Sequence, residues 1–205
     1  LAAHGRRWLD QMLAHGVTTI EAKSGYGLDR PTELRLLALA ARLGAEGPVE
    51  VVPTWLGAHA VPAEYRARPD AAEVYLRALL REQLPAVAAQ GMARFCDVFC
   101  ERGYFGIDES REILTRAKEL ELGLRVHADQ LTNGGGAKLA AELGAKTADH
   151  LEQTGEEGIR AMKEAGVQPV PLPGSVYALG KTKYPEARKM IDTGLAVVLA
   201  TDFNP

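Results

Sequence analysis

Residues 94–129 read RFCDVFCERGYFGIDESREILTRAKELELGLRVHAD, and the hydrophobic pattern changes twice along them. Apolar residues are consecutive near both ends, as in buried strands, whereas Ile113, Leu114 and Ala117 recur between them at helical spacing. Asp108 or Ser110 can cap this helix, and Gly123 can end it. The stretch therefore predicts a strand, a helix over 109–122 and a second strand.

The same alternation runs through the whole chain. Strands that are apolar at consecutive positions, each followed by a helix, are typical of a parallel sheet covered on both faces. The sequence therefore predicts an α/β fold. Seven strands are predicted, at 17–25, 49–59, 94–101, 123–129, 146–152, 167–175 and 195–202, and helices are predicted to begin near Pro31, Ala71, Glu109, Gly135, Gly155 and Pro185.

The polar residues at the strand ends favour a (β/α)8 TIM-barrel over an open sheet. No G-x-G-x-x-G follows the first strand, as a dinucleotide-binding sheet would require. In a barrel, the carboxyl ends of all strands converge on one face, where the functional site is built. Residues 1–205 are therefore expected to form a single incomplete barrel domain that lacks one strand. The polar residues at these ends are Lys23, Tyr26, His59, Glu101, His127, His150 and Asp202.

Composition excludes several classes of function. The 205 residues carry a formal net charge of −3 and the basic residues are scattered, so we expect no nucleic-acid partner. No apolar run approaches the roughly 20 residues of a membrane span, and the first residues lack the apolar core of a signal peptide. Cys96 and Cys100 would lie about 13 Å apart on one strand, too far for a disulfide. We expect free thiols, no membrane partner and a cytoplasmic location.

The side chains expected at the strand ends include metal-binding groups. His127 and His150 end two successive strands, and Asp202 ends the last one. Imidazole nitrogens and carboxylate oxygens suit a divalent transition metal such as zinc or iron. A single histidine at a strand end is more often structural, but several such groups on one predicted face favour a metal site.

Longer stretches carry a resemblance to a known family. VHADQ (126–130), ADHLE (148–152) and ATDFNP (200–205) resemble strand-end motifs of the amidohydrolase superfamily. Essentially the whole chain is similar to the imidazolonepropionase family, through EAKSGYGLD (21–29), PTWLGAHAVP (53–62), DVFCERGYF (97–105) and NGGGAKLAAELGAKTADHLE (133–152). The resemblance implies an amidohydrolase-type barrel. The chain, which begins with Leu1, is then expected to be an internal fragment without the family's first strand, its His-x-His pair and its small β domain.

The resemblance also implies an activity, which is hydrolysis of the cyclic amide C–N bond of 4-imidazolone-5-propanoate to N-formimidoyl-L-glutamate. One divalent metal ion per chain, zinc or iron, would activate water for attack on the ring carbonyl. The substrate is a small molecule, and a homodimer is left open. The resemblance implies metal ligands at His127 and Asp202, proton-transfer or carbonyl-polarising roles at His150 and Asp202, and substrate contacts at Tyr26, His59, Gln130 and Asn204.

Two residues near the site are expected to be structural, and two other functions remain open. We expect Glu101 to support the site and Cys100 to be buried, not nucleophilic. Another amidohydrolase, such as a nucleobase or cyclic-amidine deaminase, would share the metal residues and differ in its pocket. A phosphate-binding or non-catalytic barrel fragment is the alternative of another class, because the NGGGAK segment (133–138) could bind phosphate at a helix start.

Overall fold

The computed structural model describes residues 1–65 and 68–204. Strands alternate with helices along the described chain, as predicted. No described helix is long and apolar enough to cross a membrane. The elements are α1 (Ala2–Ala14), β1 (Thr19–Lys23), α2 (Arg30–Ala45), β2 (Glu50–Ala58), α3 (Ala71–Ala78), α4 (Leu84–Gln90), β3 (Phe95–Cys100), α5 (Ile107–Glu119), β4 (Gly123–Ala128), α6 (Gly136–Leu143), β5 (Thr147–His150), α7 (Glu156–Ala165), β6 (Gln168–Val170), α8 (Pro173–Ala178) and α9 (Ala187–Asp192).

The strands follow one another in chain order from β1 to β6. Thr19 of β1 lies opposite Glu50 of β2, and both strands run in the same direction. Arg125 of β4 lies opposite Thr147 of β5, which in turn lies opposite Gln168 of β6, again in parallel. Parallel neighbours joined by helices confirm the predicted α/β class.

The chain divides into two compact units, and the first comprises residues 1–96 and 119–122. Part of its core is a cluster of Leu9, Leu43 and Val49, which are almost fully buried, with Leu13, Ile20, Leu39 and Val51 packed around them. Helix α2 follows the N-cap residue Asp29, whose carboxylate accepts a hydrogen bond from Thr32 N at 2.9 Å. A π-helical turn, Leu79–Gln83, joins α3 to α4.

The second unit comprises residues 97–118 and the chain from 123 onward. Its helix α6 packs against β4, β5 and α7. Helix α5 begins at Ile107, two residues before the predicted start, because Ser110 N already bonds to the Gly106 carbonyl at 2.9 Å. The helix ends at Glu119, before the predicted end at Gly123. Glu121, with φ 62°, takes up the left-handed conformation that often follows a helix.

The predicted seventh strand, 195–202, is not a strand. Val198 N and Ala200 N do bond to the carbonyls of Pro169 and Pro171, at 3.0 and 3.3 Å. In a parallel ladder the return bonds would come from N–H groups of residues 171 and 173, and both are prolines, which have none. The segment is consequently held on one side only, and Leu199 is 69% exposed. The predicted sixth strand, 167–175, is also shorter, since α8 begins at Pro173.

A buried carboxylate organises the glycine-rich turn before α6. Asp129 Oδ1 accepts hydrogen bonds from Gly135 N and Gly136 N at 3.0 and 2.9 Å. Its Oδ2 accepts from Ala137 N at 3.3 Å and from the Thr154 hydroxyl at 2.8 Å. The carboxylate thus satisfies N–H groups at the start of α6 that would otherwise lack partners.

A second buried carboxylate, Glu101, follows β3 and holds the loop after β4. It accepts hydrogen bonds from Leu131 N at 2.8 Å, from Thr132 N at 3.2 Å and from the Thr132 hydroxyl. Burial alone would raise the pKa of Glu101, but these bonds and one from Arg102 N outweigh it and hold the pKa below its ordinary value. This contact pattern agrees with the expectation that Glu101 supports the site.

We predict that Asp129→Ala destabilises the protein. The substitution leaves three backbone N–H groups and the Thr154 hydroxyl without their acceptor, at a cost of about 3 kcal/mol. Urea denaturation of the full-length protein measures the loss. Glu142→Ala on the exposed side of α6 is the control, because its surface ion pair with Arg111 is worth less than about 1 kcal/mol. An equal loss in both variants would contradict the anchoring role of Asp129.

Glu101 should make the protein sensitive to acid. Because its pKa is lowered on folding, its contribution to stability is complete above the ordinary value of 4.5 and is lost as the pH falls through the lower, folded-state pKa. Glu101→Gln should therefore be less stable at neutral pH and should lose less stability on acidification. Thermal unfolding from neutral pH down to about pH 3 tests this, with exposed Glu112→Gln as the control. Parallel pH profiles for the Glu101→Gln variant and the unaltered protein would refute it.

Candidate functional site

Three buried side chains of the kinds that can hold a metal ion meet in the second unit. Asp97 of β3, His127 of β4 and Asp149 of β5 each offer one ligand atom, and these atoms all lie within 4.8 Å of one another. The three strands are successive, so their side chains on one face converge. A nitrogen and carboxylate oxygens at this separation form a set of donors that fits zinc or iron.

Asp97 fixes the orientation of His127. Its Oδ2 lies 2.9 Å from His127 Nδ1, and its Oδ1 accepts from Val98 N at 2.8 Å and from His127 N at 3.2 Å. In the tautomer that places the ring proton on Nδ1, this proton faces the carboxylate and Nε2 keeps its lone pair. This is the carboxylate–histidine arrangement that commonly prepares an imidazole to bind a metal. Asp97 therefore supports the orientation of the His127 ring, with Nε2 on the side of the ring away from the carboxylate.

His150 lies beside His127 in a strained backbone. Their ring centroids are 5.2 Å apart. His150 and Leu151 have φ values of 75° and 72°, a left-handed conformation that costs a non-glycine residue about 1–3 kcal/mol. Within the described residues, His150 Nδ1 and Glu152 Oε2 are buried without a hydrogen-bond partner, although Nδ1 lies 3.6 Å from Glu152 Oε1. Strain and unsatisfied polar atoms together indicate a functional position.

The other site residues predicted in this unit lie outside the buried cluster. Asp202 is exposed, with φ 53°, and is not one of the three clustered ligands. Asn204 is also exposed, and Gln130 is half-buried in the loop that Glu101 holds. Asp202 as metal ligand, and Gln130 and Asn204 as substrate contacts, stay predictions.

The first unit brings Tyr26 and His59 together. Their rings meet edge to face, with centroids 5.2 Å apart and planes at 76°. His59 Nδ1 lies 3.0 Å from the Gly25 carbonyl, which can only accept, so Nδ1 carries the proton of the neutral ring. His59 Nε2 is then an acceptor and donates only when the ring is protonated. Tyr26 is 67% exposed.

Cys100 is unsuited to nucleophilic chemistry. Both Cys96 and Cys100 are buried, and neither forms a disulfide within the described residues, as expected. Burial raises the pKa of Cys100 to about 11, so the thiolate is scarce at neutral pH.

Asp97, Asp149 and Glu33 were not identified from the sequence as site residues. Asp97 is the one charged residue in the apolar run FCDVFC, and Asp149 directly precedes His150 in ADHLE. A charge inside a buried strand is costly unless it is paired, and that was the available signal. Glu33, in the first turn of α2, is fully buried and bonds to the loop that carries Tyr26.

The structure argues against a phosphate site at the glycine-rich turn. The N–H groups of residues 135–137 that would receive a phosphate already donate to Asp129. A second anion there would face the Asp129 carboxylate at close range, and like charges repel.

No family model matches the chain, whereas individual proteins do. It is 56% identical over 205 residues to the imidazolonepropionase of Solibacter usitatus (strain Ellin6076) and 50% identical to that of Alkaliphilus metalliredigens (strain QYMF), covering all of this chain and 48% of each relative. Against the imidazolonepropionase of Streptococcus gordonii the identity is 48% over 200 residues, or 98% of the chain and 64% of the relative.

Solved structures show the same fold at low identity. The 5-methylcytosine deaminase from Klebsiella pneumoniae liganded with 5-fluorocytosine superimposes with a TM-score of 0.69 and 14% identity, covering 99% of this chain and 53% of that one. The adenine deaminase from Arthrobacter aurescens gives a TM-score of 0.64 and 17% identity, covering 98% and 61%. The chain has the amidohydrolase type of TIM-barrel fold. Along its whole length it is a homologue of imidazolonepropionases, and it spans about half the length of the curated relatives it matches.

Proposed function

We propose that the protein containing this chain is a metal-dependent cyclic amidohydrolase that hydrolyses 4-imidazolone-5-propanoate to N-formimidoyl-L-glutamate. The observation that carries the proposal is identity of up to 56% to imidazolonepropionases across all 205 residues. The deaminase alternative has weaker support, since the deaminases share the fold at 17% identity or less.

The metal would be zinc or iron, held by His127 and Asp202. The close contact of 2.9 Å between His127 Nδ1 and Asp97 Oδ2 supports this, because a proton on Nδ1 would leave the nearly buried Nε2 as the ligand atom. When bound, the metal would activate water and polarise the ring carbonyl. A carboxylate oxygen of Asp149 lies within 4.8 Å of a ring nitrogen of His127, and its negative charge would help to compensate the positive charge of the metal ion.

His150 and Asp202 would handle the protons of the reaction. The His150 ring lies beside the His127 ring, and its buried Nδ1 has no hydrogen-bond partner among the described residues. The ring is therefore available to polarise the carbonyl or to move a proton. Asp202 would carry the proton to the departing ring nitrogen.

Tyr26, His59, Gln130 and Asn204 would contact the substrate. The neutral His59 ring, with its Nδ1 proton on the Gly25 carbonyl, presents an acceptor to an N–H of the imidazolone ring. Protonated His59 would instead donate to an oxygen. The Tyr26 hydroxyl and the Gln130 amide offer donors, and Gln130 also offers an acceptor.

Residues 1–205 would belong to one barrel domain of a cytoplasmic enzyme that acts on a small molecule. The net charge of −3 and the scattered basic residues support a function without nucleic acid. Neither a membrane partner nor a particular oligomeric state is needed for the proposed chemistry, and a homodimer is compatible with it.

Metal content and imidazolone propionate hydrolysis of the full-length protein test this function. We expect about one divalent metal ion per chain, and loss of both metal and activity in His127→Ala and Asp202→Ala. Exposed His15→Ala and Asp10→Ala are the matched controls, and they should retain metal and activity.

Other outcomes would point elsewhere. Metal without hydrolysis, but with ammonia released from a nucleobase, would move the function to a deaminase. A protein without metal that inorganic phosphate stabilises would indicate the phosphate-binding alternative and refute the proposal.

Asp97→Asn should weaken metal binding while the ligands themselves stay in place. An amide no longer compels the proton to stay on His127 Nδ1, and losing such a supporting carboxylate typically lowers metal affinity about 10-fold to 100-fold. Competition with a chelator measures the affinity independently of activity. Asp10→Asn is the exposed control, and unchanged affinity in the Asp97→Asn variant would remove Asp97 from this role.

A further inference from the structure

We propose that Glu33 is a positioning residue for substrate binding, acting through the loop Ser24–Leu28. This inference rests on the proposed function, in which Tyr26 and His59 contact the substrate. Glu33 itself is fully buried in the first turn of α2 and does not reach the substrate.

The Glu33 carboxylate accepts hydrogen bonds from three backbone N–H groups of this loop. Its Oε1 accepts from Gly25 N at 3.1 Å, from Gly27 N at 2.9 Å and from Leu28 N at 2.9 Å, and its Oε2 lies 3.0 Å from Gly25 N. Charge-assisted bonds of this kind are about twice as strong as neutral ones. These bonds offset the free-energy cost of burying the carboxylate, and they hold the backbone of the loop in a turn around it.

The loop takes a conformation that the chain would not otherwise favour. Gly25 has φ 102°, and Leu28, which carries a side chain, has φ 61°. A Cβ at Gly25 would lie 2.7 Å from the Leu56 carbonyl oxygen, and a Cβ at Gly27 would lie 2.4 Å from Thr32 Cγ2. Glycine at these two positions permits the close turn, and Glu33 selects it.

The carbonyl side of the loop is held as well. The Leu28 carbonyl accepts a hydrogen bond from Gln83 Nε2 at 2.9 Å and lies 2.8 Å from the Tyr75 hydroxyl. Gln83 belongs to the π-helical turn, an irregularity that often marks functional regions. The loop backbone is thus fixed from both sides, while the Tyr26 side chain projects into solvent.

Gly25 links Glu33 to His59. Its N–H donates to Glu33, and its carbonyl accepts the proton on His59 Nδ1. The same carboxylate therefore sets the position of Tyr26 and the tautomer of His59, which decides whether His59 Nε2 accepts or donates. An enzyme selective for a ring N–H needs the acceptor form.

The test compares Glu33→Gln with Leu37→Ala in the full-length protein. Leu37 lies one turn further along α2 and is fully buried, and its aliphatic side chain can form no hydrogen bond, so Leu37→Ala removes packing without removing an acceptor from the loop. We expect Glu33→Gln to raise KM for imidazolone propionate about tenfold with kcat changed less than about threefold, since ground-state binding is lost. Leu37→Ala should leave KM unchanged.

The nitrogen-15 resonances of the His59 ring supply a readout that does not depend on the substrate. The unaltered protein should show a protonated Nδ1, and Glu33→Gln should shift the ring toward a mixture of tautomers. Gln83→Met removes the Nε2 bond to Leu28 and the side-chain hydrogen bond with Tyr75, which itself bonds to Leu28. It should change KM in the same direction and serves if Glu33→Gln does not fold.

The outcomes separate this inference from the proposed function. Hydrolysis by the unaltered protein, with the same KM in Glu33→Gln or an equal rise in Leu37→Ala, overturns the role of Glu33. If the unaltered protein does not hydrolyse the substrate, the proposed function is refuted. The nitrogen-15 spectrum of His59 is then the one remaining test of the positioning role of Glu33. An unchanged spectrum in Glu33→Gln would overturn the positioning.

Discussion

Buried carboxylates that accept backbone N–H groups are the constraint on which the loops of this protein depend. Glu33, Glu101 and Asp129 are each almost fully buried, and each accepts three or more hydrogen bonds. A buried carboxylate without partners would be very costly, so the folded state is stable only when the surrounding N–H groups point at it. This requirement is strongly directional, and it selects one loop conformation from the many that glycine-rich sequences such as SGYG and NGGG would allow.

The same constraint places the candidate functional side chains. Tyr26 lies within the loop that Glu33 gathers, and Gln130 directly precedes the two residues whose N–H groups Glu101 holds. Asp97 extends the principle from backbone to side chain, since one of its oxygens holds main-chain N–H groups and the other orients the His127 ring. Loop geometry and ligand geometry therefore have a common physical origin, and rigid support of this kind is what a binding site requires.

The alternation of apolar runs and helical spacing was enough to predict six of the strands and the parallel α/β class. It failed at 195–202, where β-branched apolar residues suggested a strand, because pairing depends on the neighbour. Pro171 and Pro173 lack the N–H groups that a parallel partner needs, and this signal was present in VQPVPLP. In the site, His127, His150, Tyr26 and His59 stood out by position and motif. Asp97 and Glu33 did not, because their role comes from contacts that hydrophobic spacing does not encode.

Asp129 and His150 differ in how far hydrogen bonds satisfy their buried polar atoms. The Asp129 carboxylate already accepts hydrogen bonds from Gly135 N, Gly136 N and the Thr154 hydroxyl. A carboxylate with this many partners has little capacity left to bind a ligand. His150 is different. It is buried, its Nδ1 has no hydrogen-bond partner among residues 1–65 and 68–204, and its backbone lies in a left-handed conformation. A fold keeps strain and an unsatisfied imidazole at one position only if something else compensates them. Because the His127 ring lies 5.2 Å from the His150 ring, strain and an unsatisfied imidazole at this position fit the proposed role of His150 in polarising a carbonyl or moving a proton.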